Sequence, residues 1–231
     1  MGKGISIAID GPAGSGKSTI ARAAALKFKY IYIDTGAMYR AITLKAIQQK
    51  ISIEDKASLT QLAKKTLIRF RYIETDGLSQ LRVIMDGGDV SEAIRSLEVT
   101  GNVSAVSAVA GVREALVELQ RNMAREGGVI MDGRDIGTVV LPDAELKVFL
   151  TASVKERSKR RWLELQANGV KVSLEELEEQ IQKRDQLDST REVNPLRQAE
   201  DAILLDTTSL SIDEVTDRIV KLALTKGTVI Q

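Results

Sequence analysis

The segment that most constrains the fold of this chain is Gly-Pro-Ala-Gly-Ser-Gly-Lys-Ser, at residues 11–18. Its spacing is that of a phosphate-binding loop, in which glycines let backbone N–H groups face phosphate oxygens. A short β-branched apolar run at residues 5–9 precedes it, and a strong helix-forming run at residues 19–26 follows it. A strand, a glycine-rich turn and a helix N-terminus in this order form an anion site. The alternative is an ordinary glycine-rich turn, which the complete motif in this setting disfavours.

The motif also assigns roles to single residues. Lys17 is predicted to reach the β- and γ-phosphates of ATP, and the Ser18 hydroxyl is predicted to ligate Mg²⁺. We therefore expect Mg²⁺ as a cofactor and ATP as a co-substrate. The residues expected to bind ATP are Gly11, Pro12, Ala13, Gly14, Ser15, Gly16, Lys17, Ser18 and Thr19.

Apolar runs predict an α/β fold with a five-stranded parallel sheet flanked by helices, as in phosphate-loop NTPases. Continuous rather than alternating hydrophobicity indicates strands buried on both faces, which is typical of parallel sheets. One region differs, because residues 68–73 alternate and residues 81–85 follow a turn at 75–77, which predicts an antiparallel hairpin inserted near 64–101. The five parallel strands are predicted at residues 5–9, 30–33, 128–131, 146–150 and 202–205.

A very basic helix is predicted in residues 151–171, with a stop at Asn168-Gly169. It is either a solvated face or a lid that closes over phosphates, and a phosphate loop in the same chain favours the lid. Three of its arginines share one face by their i,i+3 and i,i+4 spacing: Arg157, Arg160 and Arg161.

Three further segments place charge beside predicted strand or helix ends. Residues 34–40 read Asp-Thr-Gly-Ala-Met-Tyr-Arg, which is a second phosphate-sized site or only a helix cap. Asp132 ends an apolar strand, where a carboxylate that organises Mg²⁺ is found in phosphate-loop proteins. Asp132 would bind the ion directly or through a water. The nearby Arg134 and Asp135 contribute to the same site or form only a surface ion pair. Residues 184–191, at and beyond a predicted helix end, could be no more than local salt bridges.

Composition narrows the possible functions. The formal net charge is +1 and 28% of residues are charged, which argues against nonspecific binding to nucleic acid or to an anionic membrane. The chain has no histidine, so its chemistry must rely on lysine, arginine and carboxylates. It has no cysteine, which is compatible with a reducing cytosol. The early first strand leaves no room for a signal peptide, and no apolar run approaches the roughly 20 residues that span a bilayer.

Together these segments resemble the bacterial cytidylate kinases, the CMP branch of the nucleoside monophosphate kinases that carries a longer insertion. The sharpest signature is Asp-Gly-Arg-Asp-Ile-Gly-Thr at residues 132–138, and Thr35 stands where some members have serine. The resemblance covers nearly the whole chain. The segments that carry it are residues 9–18, 34–40, 112–116, 131–140, 184–191 and 205–208.

The resemblance implies a cytosolic, Mg²⁺-dependent enzyme, usually a monomer, that transfers the γ-phosphoryl group of ATP to CMP or dCMP. Its products are CDP or dCDP and ADP, its partners are small nucleotides, and neither nucleic acid nor a membrane is expected. It also implies a core of residues 1–36, 102–150 and 172–231, a monophosphate-binding region of residues 37–101, and a lid of residues 151–171.

The family's site residues carry over as follows. Contacts to the CMP phosphate fall on Thr35, Arg40, Arg134 and Arg191. Contacts to the ribose fall on Arg184 and Asp188, and contacts to cytosine fall on Ser104, Arg113 and Asp135. The catalytic residues are expected to be Lys17, Arg134, Arg157, Arg160 and Arg161, and the metal ligands Ser18 and Asp132.

Other phosphate-loop proteins fit less well. A regulatory GTPase would need an Asn-Lys-x-Asp segment and a transport ATPase a Leu-Ser-Gly-Gly-Gln-like segment, and the sequence has neither. A kinase of a small metabolite such as shikimate or gluconate would lack the hairpin insertion. A non-catalytic nucleotide-binding module would not explain so many converging arginines, because buried unpaired cations are unfavourable.

Base selectivity gives the first prediction. A carboxylate at Asp135 suits the N4 amino group of cytosine and Arg113 suits its acceptors, whereas uracil inverts both positions. We expect a CMP preference over UMP of about 10² to 10⁴ in kcat/KM. Asp135→Ala should reduce this preference mainly by impairing CMP, as measured by steady-state kinetics with both nucleotides. Equal harm to both substrates, or equal use of both by the wild type, would rule out this base-reading role.

Overall fold

Five parallel strands form the central sheet of the computed structural model, which describes residues 4–75, 78–167 and 169–228. The order across the sheet is β2-β6-β1-β7-β8, so the strand that precedes the phosphate loop is central. This confirms the predicted parallel sheet. The strands are β1 (Ser6–Asp10), β2 (Ile31–Asp34), β6 (Val129–Gly133), β7 (Leu146–Thr151) and β8 (Ile203–Asp206).

Each strand continues past the apolar run from which it was predicted. The added residues include Asp10, Asp34 and Asp206, because the backbone ladder continues beyond the last apolar residue of each run. Strand β1 pairs in register with β6 as far as Asp10 opposite Gly133. The two strands therefore end level, and the carboxylates of Asp10 and Asp132 reach the same edge of the sheet.

The core of the sheet is aliphatic and closely covered. Ile7, Ile9, Ile130 and Met131 have no exposed surface, and Phe28 of helix α1 (Lys17–Phe28) is equally buried. Helix α8 (Ile212–Leu224) packs against α1 and begins with a reciprocal Ser211–Glu214 capping box. Burial on both faces explains the continuous hydrophobicity of the strands.

Two helices follow β7 in the chain. Helix α6 (Val154–Ala167) carries the basic residues, and α7 (Leu174–Thr190) begins with a Ser173–Glu176 capping box. The stop predicted at Asn168-Gly169 involves residue 168, which lies outside the described residues. The prediction that residues 184–191 lie at and beyond a helix end was wrong for most of them, because α7 continues to Thr190 with no proline or glycine to interrupt it. None of the described helices combines the length and hydrophobicity needed to cross a bilayer.

The described residues divide into two compact units, one within Met1–Ile33 and Met123–Gln231 and the other within Asp34–Asn122. The second unit is mixed α and β. Its elements are α2 (Thr35–Gln48), α3 (Lys56–Lys65), β3 (Ile68–Thr75), β4 (Leu78–Met85), β5 (Gly88–Asp89), a 3₁₀ turn at Ala93–Arg95, α4 (Leu97–Ser107) and most of α5 (Ala110–Ala124).

The predicted antiparallel insertion is confirmed as the pair β3 and β4. Phe70 lies opposite Val83, which is buried, whereas Arg69 and Arg71 on the other face are exposed. The sequence did not predict the short third strand β5, because two residues carry no periodicity. Asp76 and Gly77 of the predicted turn lie outside the described residues.

Two Gly→Ala substitutions are expected to have opposite effects on stability. Gly11 has φ +148° and an added Cβ would lie 2.0 Å from the Leu150 carbonyl oxygen, so Gly11→Ala should lower the free energy of unfolding by at least about 2 kcal/mol. Gly101 lies inside α4 with no atom within 4 Å of an added Cβ. Gly101→Ala should therefore raise the free energy of unfolding by about 0.5–1 kcal/mol. Urea unfolding measures both, and equal effects would contradict the backbone geometry described for Gly11.

Candidate functional site

The phosphate loop is closed on itself by its own lysine. Lys17 is the first residue of α1, and its Nζ donates to the Pro12 carbonyl at 2.6 Å and to Ser15 Oγ at 3.3 Å. Ser15 Oγ in turn donates to the Pro12 carbonyl at 3.0 Å. Burial, and then the positive charge of Arg134, hold the pKa of Lys17 well below its ordinary value. These two hydrogen bonds place Lys17 Nζ inside the loop, where phosphate oxygens would replace the Pro12 and Ser15 acceptors.

A hydroxyl and a carboxylate meet beside this loop. Ser18 Oγ donates to Asp132 Oδ2 at 2.9 Å, and the Tyr32 hydroxyl donates to Asp132 Oδ1 at 2.8 Å. Oxygen ligands of this kind suit Mg²⁺, which takes one or two protein ligands together with phosphates and waters. In the part of the chain that the structure describes, no group of three or more acidic, histidine or cysteine side chains could hold a metal by itself. The donor set therefore fits a Mg²⁺ ion that arrives with a nucleotide.

Asp10 joins the end of β1 to the turn after β6. Its Oδ1 accepts the Ile136 amide at 2.8 Å and its Oδ2 accepts the Gly137 amide at 2.7 Å. Burial raises the pKa of Asp10 to about 6, with a smaller contribution from Asp135, although the two amides oppose the shift.

Positive and negative side chains alternate between the turn after β6 and the end of α7. Arg134 Nε donates to Asp188 Oδ2 at 2.8 Å, so Arg134 pairs with α7 and not in a surface ion pair with Asp135. Arg191 lies 3.9 Å from Asp188 and 3.6 Å from Asp135, measured between guanidinium nitrogens and carboxylate oxygens. The motif at residues 184–191 is thus more than a set of local salt bridges.

Burial opposes the ionised form of Asp188, but Arg134 outweighs it with the help of Arg184 and Arg191, so the pKa of Asp188 lies below its usual value. Asp135 and Asp188 are both buried, at 4% and 6% exposure. Burying two carboxyl groups at this depth is tolerated because guanidinium groups accompany them.

The three lid arginines have different surroundings. Arg157 is 4% exposed, and it donates from Nε to the Ala152 carbonyl and from Nη1 to the Ala13 carbonyl of the phosphate loop. Its Nη1 also lies 2.7 Å from Asp185 Oδ2. Helix α6 is therefore attached to the loop through this side chain.

The next two arginines differ from Arg157 and from each other. Arg160 donates to Glu156, four residues earlier, and to the hydroxyl and carbonyl of Thr207 at 3.1 and 2.7 Å. Arg161 pairs with Glu164, and 34% of its side chain is exposed. Residues that share a helix face in the sequence therefore have unequal freedom to reach a phosphate.

The second unit holds four of the predicted CMP residues. Thr35 begins α2, where Asp34 caps the helix by accepting the Ala37 amide at 2.8 Å, so the alternative interpretation as a helix cap is correct for Asp34. Arg40 Nη2 lies 3.2 Å from Asp34 Oδ2, which turns this guanidinium back toward the start of α2.

The two predicted cytosine residues of this unit lie on α4 and α5. Arg113 is 1% exposed, its guanidinium lies 5.2 Å from the centre of the Tyr39 ring, and its Nη1 donates to the Ser107 carbonyl at 3.1 Å. Ser104 is half-buried on α4. These contacts fix Arg113 before any nucleotide is present.

Sequence reasoning did not assign roles to Asp10, Tyr32, Asp185 and Thr207, which contact the predicted residues. Asp10 directly precedes Gly11, and Asp185 lies inside a quoted motif, so their positions were available signals. Thr207 also lies inside a quoted segment, residues 205–208, whereas Tyr32 gave no signal because its hydroxyl group meets Asp132 only through the pairing of strands in the sheet.

The fold and this concentration of paired charge around a phosphate loop define a phosphate-loop phosphotransferase. Two solved structures share the fold alone. A Thermus thermophilus protein has a TM-score of 0.51 at 18% identity, covering 99% of this chain and 100% of that one. An uncharacterized Eubacterium ventriosum protein has a TM-score of 0.52 at 15% identity, covering 96% of this chain and 99% of that one.

Sequence comparison identifies the family within this class. The family model described as cytidylate kinase matches residues 7–225. A cytidylate kinase of Bacillus anthracis is 54% identical over 224 residues, covering 97% of this chain and 98% of the relative. One from Bacillus cereus is 54% identical over 222 residues, covering 96% of this chain and 97% of the relative. The chain belongs to the cytidylate kinase family.

The raised pKa of Asp10 predicts a pH dependence of stability. The folded state holds this proton more tightly, at a pKa of about 6, than an unfolded carboxyl does at 3.8. The favourable contribution is therefore present below the unfolded pKa and is lost as pH rises through the folded pKa. Relative to Asp10→Asn, the wild type should lose about 2 kcal/mol of unfolding free energy between pH 4 and 7. Urea titrations of both proteins without nucleotide measure this, and a difference that does not change with pH would contradict it.

Proposed function

We propose that this chain transfers the γ-phosphoryl group of ATP to CMP or dCMP, giving CDP or dCDP and ADP. It is thus a phosphotransferase with a phosphate group as acceptor. The family match over residues 7–225 supports the reaction. The observation that supports the location of the chemistry is the alternation of Arg134 and Arg191 with the buried carboxylates of Asp188 and Asp135, in the unit that holds the phosphate loop.

The donor nucleotide is assigned to the phosphate loop, residues 11–19. Lys17 would leave the Pro12 carbonyl for phosphate oxygens, which are stronger acceptors because they are charged. Ser18 and Asp132 would hold Mg²⁺, directly or through water, and the ion would neutralise charge on the transferring group. The exchange needs little movement, since the lysine already lies within the loop.

The acceptor nucleotide is assigned to the residues that the family resemblance indicates. The phosphate of CMP would be bound by Thr35, Arg40, Arg134 and Arg191, and its ribose by Arg184 and Asp188. Its base would be read by Ser104, Arg113 and Asp135. Each buried guanidinium already has a protein carboxylate, carbonyl or aromatic partner near it, so it is oriented before the substrate arrives.

Transfer between phosphate oxygens requires no general base. A nucleoside monophosphate is already largely a dianion near pH 7, which agrees with a chain that has no histidine. The residues position the two nucleotides in line and neutralise charge, with Lys17 and Arg134 assigned to the transferring group. Arg157, Arg160 and Arg161 are assigned to close α6 over the site and keep water out.

Several expectations from the resemblance remain predictions. They are the division into core, monophosphate-binding region and lid, the cytoplasmic location, the monomeric state and the absence of nucleic-acid or membrane partners. The hairpin that the small-metabolite kinases would lack is present as β3 and β4, and this supports the CMP branch.

One assay tests the proposal. The protein is incubated with Mg-ATP and a panel of CMP, dCMP, UMP, AMP, shikimate and gluconate, and the release of ADP is measured. We expect ADP release to depend on CMP or dCMP. Release with a sugar or shikimate, or equal release without any acceptor, would contradict the proposed function.

The matched variant for this assay is Lys17→Ala. Removing the charge aimed at transition-state oxygens should lower kcat by several orders of magnitude, about 10³-fold or more. The fold should persist, as judged by circular dichroism, because the contacts of Lys17 lie within its own loop. Near-normal turnover by a folded Lys17→Ala protein would exclude its proposed role.

A further inference from the structure

We infer that Asp10 is a positioning residue that ties the phosphate loop to the turn carrying Arg134 and Asp135, and so aligns the acceptor nucleotide with the donor. The inference rests on the proposed function, because Arg134 and Asp135 are assigned to CMP there. It adds a residue to which neither the motif nor the family resemblance assigns a role. Four features of the structure support it.

The first feature is the geometry of the contact. Asp10 is the last residue of β1, and the phosphate loop begins at the next residue. Both carboxylate oxygens accept an amide, from Ile136 at 2.8 Å and from Gly137 at 2.7 Å. Two charge-assisted bonds to adjacent amides fix the orientation of the turn as well as its distance from β1.

The second feature is the cap of the helical turn that follows Asp135. Residues Ile136–Val140 form one wide helical turn that starts after Asp135, yet the Asp135 side chain does not cap it. Elsewhere in the described chain, Asp34 caps α2 and Asp55 caps α3 with their own side chains. Asp10, on a neighbouring strand, caps this turn instead, and the Asp135 carboxylate lies 3.6 Å from Arg191.

The third feature is the fit around the second amide. An added Cβ on Gly137 would lie 3.4 Å from Asp10 Oδ2 and 3.2 Å from Lys147 Cδ. Lys147 is itself held by Asp201, at 2.8 and 2.9 Å from the two carboxylate oxygens. The turn is therefore closely packed against Asp10 and Lys147 at the residue that donates the second amide.

The fourth feature is where the strand pairing stops. Backbone pairing of β1 with β6 ends at Asp10 opposite Gly133, so it does not position Arg134 or the residues after it. Beyond that point, the Asp10 carboxylate holds the turn to the end of β1 through the Ile136 and Gly137 amides. The hydrogen bonds of Lys17 and Ser15 that close the phosphate loop do not involve Asp10, although the charge of Asp10 acts on Lys17. Losing the carboxylate should therefore disturb the acceptor side more than ATP binding.

The test is Asp10→Asn, whose side-chain oxygen can accept one amide while its NH₂ group opposes the other. We expect kcat/KM for CMP to fall by about 10- to 100-fold, with a higher KM for CMP and a smaller preference for CMP over UMP. The affinity for a slowly hydrolysed ATP analogue, measured by calorimetry, should change by a smaller factor than kcat/KM for CMP. Ile219→Val, a buried substitution in α8, is the control for lost stability and should leave all these constants unchanged.

The outcomes separate the inference from the function on which it rests. A wild type with no CMP-dependent ADP release refutes the proposed function itself. A folded Asp10→Asn enzyme with CMP and UMP kinetics within twofold of wild type refutes the positioning role. So does an equal loss of ATP affinity, which would place the effect in the phosphate loop.

A second variant keeps the test decisive where Asp10→Asn does not fold. Asp10→Ser keeps one acceptor in a smaller side chain but loses the second acceptor and the charge, and it should show the same pattern of a raised KM for CMP with a smaller change in ATP affinity. Normal CMP kinetics in a folded Asp10→Ser protein would refute the inference independently.

Discussion

The structure of this site depends on keeping charge buried without leaving it unpaired. Asp10, Asp132, Asp135 and Lys17 are each at most 5% exposed, and an ionised group at that depth is stable only with close partners. Those partners come from separate parts of the chain, so the turn after β6 and the end of α7 must meet the phosphate loop. The arrangement of these segments follows from that requirement, because any displacement would leave a charge uncompensated.

The same pairing prepares the site for phosphoryl transfer. Phosphate groups bring negative charge, and the cations that meet them are already oriented by carboxylates and carbonyls. Lys17 rests on the Pro12 carbonyl and Arg157 on the Ala13 carbonyl, so nucleotide binding exchanges weaker acceptors for stronger ones. The reorganisation of the protein is small, and a chain without histidine can catalyse the reaction because positioning and charge provide most of the effect.

Asp10 illustrates how this scaffold connects donor and acceptor chemistry. A strand end normally fixes only its own loop, but this carboxylate also caps a turn that follows another strand. The Asp135 carboxylate lies 3.6 Å from Arg191 and, in our proposal, contacts cytosine. A buried acid with a raised pKa is thereby retained at the centre of the sheet, where burial makes its ionised form less favourable than in water.

The sequence by itself determined the phosphate loop, the parallel sheet, the hairpin insertion and the family, because each is encoded in short-range patterns of hydrophobicity, glycine and charge. It also supplied Arg134, Asp135, Asp188 and Arg191 as candidates. Only the tertiary structure decided how they pair, since Arg134 and Asp188 are 54 residues apart and Asp10 lies 126 residues from Ile136. From local spacing, a surface ion pair between Arg134 and Asp135 was an open alternative. The fold instead places α7 and β1 against the turn after β6. Buried charged groups in that turn need close partners, and α7 and β1 provide them.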